Sequence, residues 1–140
     1  MDEKKEMTRF FKELIKENGC AAYGEDSVRA NLEAGAVDTL LLSEKLRKAR
    51  LTIRCGNCGH SEVKTLQVEA GVKFKDLPFG RCPDCQSPLF LESETDIIDE
   101  LTALADTSNT RVEIISDDFE EGSMLFSAFG GIAAVLRYPT

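Results

Sequence analysis

Apolar residues recur at helical spacing in the first segment, where Met7, Phe10, Phe11, Leu14 and Ile15 line one face between Asp2 and Asn18. Gly19 stands where a helix C-cap is expected. Cys20–Tyr23 reads as a short apolar strand, and Gly24 turns it into a second helix over about 25–34, with Val28 and Leu32 one turn apart and Gly35 closing it. Val37–Leu42 is nearly continuous apolar sequence, the pattern of a strand covered on both faces. A strand–helix–strand order of this kind points to a parallel sheet.

Leu51–Arg54 alternates into a third strand that leads directly into Cys55. The next segment, 55–88, carries all four clustered cysteines and three of the four prolines, so it reads as an insertion in an α/β body formed by 1–54 and 89–140. Helix and strand alternation then resumes. Thr95 or Asp96 can cap a helix through Asp106, with Ile97, Leu101, Leu104 and Ala105 on one face. Arg111–Ile115 is a strand. Asp117 with Glu120 resembles a capping box that opens a helix through about Ala128; Gly130-Gly131 breaks it, and Ile132–Tyr138 forms the last strand.

Composition narrows the class. With 42% hydrophobic and 30% charged residues, the 140-residue chain reads as an ordinary soluble domain. No apolar run approaches the ~18–20 residues of a bilayer span, and no signal peptide precedes the first helix; the expectation is a cytoplasmic protein with no membrane partner. A net charge of −8 repels phosphate backbones, which argues against direct DNA binding and non-specific RNA binding by the whole chain. Lys45, Arg47, Lys48, Arg50 and Arg54 are the local exception. They read either as a solvated helix end whose cations suit the dipole, or as a docking patch for an acidic partner or ribosomal RNA.

The candidate chemistry lies in Cys55-Gly-Asn-Cys58-Gly59 and Cys82-Pro-Asp-Cys85. Each Cys-x-x-Cys turn can place two thiolates on one side of an ion, and four thiolates complete a tetrahedral shell for structural Zn²⁺ in a zinc ribbon. Gly59 can adopt positive φ and aim backbone N–H groups at sulfur, whereas Gln86 takes the equivalent place in the second turn. A redox pair, paired disulfides and an iron site are rival uses of the same residues. Cys20 reads as an inert core thiol, and His60, the one histidine, as a surface residue or one that supports the ligands. No nucleophile–base pair and no open metal site is apparent, so the chain is not expected to be an enzyme.

Two stretches outside the cysteines resemble a known family. Tyr23-Gly24-Glu25-Asp26-Ser27-Val28 with Leu32–Glu44 is similar to the start of the C-terminal domain of archaeal and eukaryotic class I peptide chain release factors, subunit 1; Glu120-Glu121-Gly122 with Phe129–Tyr138 is similar to its end. The likeness spans about residues 5–138, and paired cysteines in the minidomain are a feature of archaeal members. The resemblance implies an L7Ae-like α/β sandwich with a mixed sheet and an inserted four-cysteine zinc-ribbon minidomain. It implies a role in translation termination as the domain that binds the partner translational GTPase and then the ABC-type ATPase that splits ribosomes, the ribosome itself being met through the full-length factor. The family's codon-reading and Gly-Gly-Gln domains are not in this chain: Gly130-Gly131 is followed by Ile132. Gly130, Gly131, Arg137 and Tyr138 are the candidate partner-binding residues, for their turn geometry and hot-spot residue types. The alternatives are the matching domain of a pelota-like rescue factor, against which the four-cysteine insert argues, and an independent L7Ae-like RNA-binding module, against which the acidic charge argues.

Overall fold

The computed structural model describes residues 2–69 and 71–139, which form two compact units: Met1–Leu46 with Leu101–Thr140, and Arg47–Glu100.

In the first unit the elements are α1 (Asp2–Leu14), β1 (Ala21–Tyr23), α2 (Glu25–Glu33), β2 (Val37–Ser43), most of α3 (Ile97–Thr107), β6 (Arg111–Ile115), α4 (Glu120–Phe129) and β7 (Ile132–Leu136). The four-stranded sheet is mixed, in the order β1-β7-β2-β6, with β2 parallel to β6 and β7 antiparallel to both β1 and β2. The strand–helix–strand order of β1, α2 and β2 does not yield the parallel pair it suggests, because β7 lies between β1 and β2 and runs antiparallel to both; the parallel pair is β2 with β6. One face of the sheet buries Leu41, Ile115, Ala133 and Val135 against Met7 and Phe10 of α1 and Leu125 of α4. The alternate residues Leu40, Leu42, Ala134 and Leu136 are buried too, and α2 hides Val28 and Leu32, so β2 and β7 are covered on both sides as their unbroken apolar sequence requires.

Local chemistry explains where the elements depart from expectation. α1 ends at Leu14, well before Gly19, and Gly19 is no left-handed cap. It is there for close approach: a Cβ on it would lie 1.6 Å from the Glu13 carbonyl oxygen. Asp96 does cap α3, its Oδ1 accepting from the Ile98 N–H at 2.8 Å. Asp117 does not cap α4, whose N-cap is Phe119 with no side-chain cap. Lys45 holds the Asp117 carboxylate instead, at 3.0 Å.

The second unit contains β3 (Lys48–Cys55), β4 (Ser61–Gln67), a single 3-10 turn at Phe74–Asp76, and β5 (Leu89–Asp96). The strands form an antiparallel sheet in the order β4-β3-β5. β3 alternates cleanly: Ala49, Leu51 and Ile53 are buried against Leu66, Phe74, Phe79, Leu89 and Leu91, while Lys48, Arg50, Thr52 and Arg54 alternate with them. The unit is thus wider than the 55–88 drawn from the cysteines, because β3 and β5 are its own strands rather than the body's. The basic run is likewise not at a helix end: Lys48, Arg50 and Arg54 lie on β3, and Lys45 and Arg47 precede it. Acidic side chains meet it, with Arg50 3.1 Å from Glu100 and Arg54 3.1 Å from Glu92. No helix among the described residues is long and apolar enough to cross a membrane.

Candidate metal centre

β3 delivers Cys55 at its last residue, and the chain then reverses tightly so that β4 can pair back along β3. Three bonds shape that reversal. The Cys55 N–H donates to the His60 carbonyl (2.8 Å), the Gly59 N–H to the Cys55 carbonyl (3.2 Å), and the Asn57 N–H to the Cys55 Sγ (3.4 Å). The second cysteine pair repeats them with the same spacing. The Cys82 N–H donates to the Ser87 carbonyl (2.8 Å), the Gln86 N–H to the Cys82 carbonyl (2.9 Å), and the Asp84 N–H to the Cys82 Sγ (3.4 Å). Gly59 has φ +80°, as expected, and Gln86 adopts φ +67° in the matching place. A side chain in the left-handed region costs of order 1 kcal/mol, and the Arg81 guanidinium, donating to the Gln86 carbonyl at 3.0 Å, helps to hold it.

The two turns bring all four sulfurs within 4.8 Å of one another. Cys55 Sγ is 3.5 Å from Cys85 Sγ, and Cys58 Sγ is 3.5 Å from Cys82 Sγ. Sulfurs bound at about 2.3 Å to a tetrahedral ion lie ~3.8 Å apart, so the donor set and its spacing fit a four-thiolate ion. The N–H groups of Asn57 and Asp84, aimed at sulfur, would spread the negative charge of the bound thiolates. Among the thiols themselves the protons divide unevenly. Hydrogen bonding from Asn57 and then from Ser87 lowers the Cys85 thiol to about 5. The His60 N–H pulls Cys58 down, but its contacts with Cys82 and Cys85 and its desolvation prevail and push that thiol up to about 12. All five cysteines are free thiols, and the cluster can hold a metal ion.

Asn57, Asp84 and Ser87 support the sulfurs, yet the sequence marks them only as the residues between and after paired cysteines. Cys20 lies just before β1, half-buried, and its N–H donates to Glu13 Oε1 at 3.1 Å. His60 reaches across to the second turn, its Nδ1 3.3 Å from Asp84 Oδ2.

The candidate partner-binding residues lie in the first unit, and the structure gives three of them local work. Gly130 is the left-handed C-cap of α4 (φ 71°), and Gly131 (φ +85°) donates to the Leu125 carbonyl and accepts from the Ser43 N–H, tying α4 to the sheet. Arg137 donates Nε to the Val37 carbonyl (3.0 Å) and Nη2 to the Ser108 carbonyl (2.9 Å), clamping the turn between α3 and β6. Tyr138, 52% exposed, is free of such duties among the bonds described.

The model of eRF1 domain 3 matches residues 1–140. Peptide chain release factor subunit 1 of Methanosarcina mazei is 50% identical over 140 residues, and that of Methanococcoides burtonii 47%, in each case over 100% of this chain and 33% of the relative. The chain thus spans about a third of the length of these curated relatives. The solved C-terminal domain of the peptide chain release factor from Methanosarcina mazei matches with TM-score 0.75 and 49% identity, covering 100% of this chain and 84% of that one. Two more distant structures share the fold. One is Saccharomyces cerevisiae Dom34, a translation termination-like factor interacting with Hbs1 (TM-score 0.60, 22% identity, 99% of this chain and 27% of that one). The other is archaeal Pelota in a model bound to the ribosome with ABCE1 (TM-score 0.54, 22% identity, 97% and 27%). The chain belongs to the eRF1 domain 3 family, its likeness running to the C-terminal domain of archaeal peptide chain release factor subunit 1.

Proposed function

We propose that this chain is the partner-docking domain of a cytoplasmic translation termination factor, binding first the partner translational GTPase and then the ABC-type ATPase of ribosome recycling. The observation that carries the reading is the match to eRF1 domain 3 along all 140 residues, with release-factor relatives near half identical. The association of Dom34 with Hbs1, and of Pelota with ABCE1, in proteins of the same fold supports the choice of partner classes. Stop-codon reading and peptide release belong, on this reading, to the rest of the full-length factor.

The first unit is an L7Ae-like sandwich in this scheme, and the second a zinc-ribbon minidomain. Cys55, Cys58, Cys82 and Cys85 hold structural Zn²⁺, which closes both turns at once and supplies no reaction, since four thiolates leave no position for water or substrate. The domain is not itself an enzyme. Tyr138 and the surface around the Gly130-Gly131 turn are the docking candidates, with Arg137 holding that region in shape.

Calorimetry of the 140-residue chain against the archaeal translational GTPase and the ABC-type ATPase tests the proposal. The chain is expected to bind each within about tenfold of the full-length factor. If the full-length factor binds while the chain binds neither partner, the reading is wrong.

A further inference from the structure

His60 is not a ligand of the four-cysteine cluster, yet it stands against one of those cysteines. One of its ring nitrogens, the Cys82 Sγ and a carboxylate oxygen of Asp84 lie within 4.8 Å of one another. Its Nδ1 is 3.3 Å from Asp84 Oδ2. Its Nε2 is buried without a hydrogen-bond partner and lies 3.8 Å from Glu62 Oε2. We propose that His60, Asp84 and Cys82 form a second, weaker site for a divalent cation of the zinc or cobalt type, with the Cys82 sulfur bridging the two ions. The proposal rests on the reading of the four cysteines as a metal centre.

Three physical arguments converge on it. The first is spacing. Nitrogen and oxygen ligands held at about 2.0–2.1 Å by one tetrahedral ion lie ~3.3–3.4 Å apart, which is the distance from His60 Nδ1 to Asp84 Oδ2 and longer than most hydrogen bonds. The second is charge. Four thiolates around a divalent ion leave a formal charge of about −2, and Asp84 and Glu62 add carboxylates beside it, so a second cation is drawn to this edge of the centre. The third is the state of the imidazole. With Nδ1 on the ion, the Nε2–H faces Glu62, and a modest closure of the 3.8 Å gap would give that buried nitrogen the partner it lacks. A carboxylate on the outer nitrogen of a ligating histidine is the usual means of fixing its tautomer. The set of one nitrogen, one sulfur and one oxygen suits zinc and cobalt better than calcium or magnesium, and it leaves a position open to water. The exposure of Asp84 (69%) lets the ion come and go from solvent, which makes the site the weaker of the two.

Titration of the metal-free chain with Co²⁺, followed by visible absorption and by calorimetry with Zn²⁺, tests the proposal. The wild type is expected to take one tight equivalent, with the intense absorption of four thiolates, and then a second at least tenfold weaker that changes the spectrum again. His60→Ala and Asp84→Asn should each keep the first equivalent and lose the second. Because Asp84 is exposed, the second variant decides should the first fail to fold. A wild type that stops at one equivalent overturns the proposal and leaves the four-cysteine centre intact. A second equivalent that persists in both variants also overturns it, assigning the extra ion elsewhere, for instance to the exposed group Glu44, Asp117 and Asp118. Failure to bind even the first equivalent overturns the metal-centre reading and this one with it.

Discussion

Replacing Cys58 by serine separates the metal's contribution from that of packing. Cys58 is the exposed member of the cluster, so Cys58→Ser keeps the shape of the turn and removes almost no buried apolar surface. What it removes is one of four thiolates. In the second unit the large side chains fully buried in the cluster on β3 are Leu51 and Ile53, with Ala49 beside them. Burial of such side chains stabilises by about 1.5–3 kcal/mol each, or ~3–6 kcal/mol for the pair. Zinc ligation in small peptides is worth on the order of 10–16 kcal/mol at neutral pH. A unit of this size sits at the limit of what a hydrophobic core sustains, and a zinc ion held by the four thiolates, as proposed, would outweigh the two large β3 core residues. Cys58→Ser, or chelation of the wild type, is therefore expected to unfold Arg47–Glu100 while the first unit, with its own core around Leu41, Leu125 and Val135, stays folded. Amide hydrogen exchange read by NMR measures both at once: protection across the β3–β4 pairs should vanish, and protection across the β2–β7 pairs should remain. If β3 and β4 stay fully protected in a variant carrying less than a tenth of an equivalent of zinc, the ranking of ion over core is wrong.

Further outcomes follow from the first unit. Gly130→Ala should cost about 1–2 kcal/mol in a thermal melt, the price of a left-handed side chain in open space. Gly131→Ala should cost more, because its Cβ would also meet Leu46 Cδ1 at 3.3 Å and Phe126 Cδ1 at 3.4 Å; equal costs would refute the contact argument. Arg137→Ala should lose about 1–2 kcal/mol in urea denaturation through the Val37 and Ser108 carbonyls, whereas Tyr138→Ala should change stability by less than ~0.5 kcal/mol. A partner-binding loss is thus better sought at Tyr138, where unfolding does not confuse the readout. Acid should weaken the fold in a definite window. Lys16 lowers Glu13, Lys45 lowers Asp117, and at Asp38 desolvation pushes upward but hydrogen bonds from Arg9 and Thr39 prevail, so that carboxyl is lowered as well. Stabilisation by depressed carboxylates is complete above about pH 4–4.5 and fades as pH falls through their lower folded values, so urea midpoints at pH 5.5 and pH 3 should differ; equal midpoints would show that these pairs contribute nothing.

The elements that were readable from sequence are those written in local patterns. Val37–Leu42 announced a doubly covered strand, Ile97, Leu101 and Ala105 a helix face, and the glycines after Glu33 and Phe129 their helix ends. The paired cysteines announced a common cluster because each Cys-x-x-Cys turn is built within its own six residues. Most of what escaped depends on distant partners. Asp117 looks like a cap by spacing, but Lys45, far off in sequence, claims its carboxylate. Ala49, Leu51 and Ile53 alternate plainly, yet nothing nearby says that their strand pairs with β4 and β5 and so draws the second unit out to Arg47 and Glu100. Gly19 reads as a helix C-cap from its position alone, and the miss there is local: the helix stops at Leu14 and the chain folds back so that Gly19 lies against the Glu13 carbonyl. His60 and Asp84 meet across two turns separated by 22 positions of chain, which no spacing rule anticipates.

The order β1-β7-β2-β6 has a consequence for how the chain comes into being. The strand that separates β1 from β2 is the last of the seven to be synthesised, so both neighbours emerge from the ribosome with hydrogen-bonding edges that nothing yet satisfies. The first unit cannot close its sheet until residues 132–136 are out of the exit tunnel. The second unit, whose three strands follow one another along the chain, needs no later residue to complete its own pairing. During translation the second unit can therefore complete its strand pairing while the first unit still waits for its central strand, and an ion taken up by the four cysteines would be held before the first unit has folded.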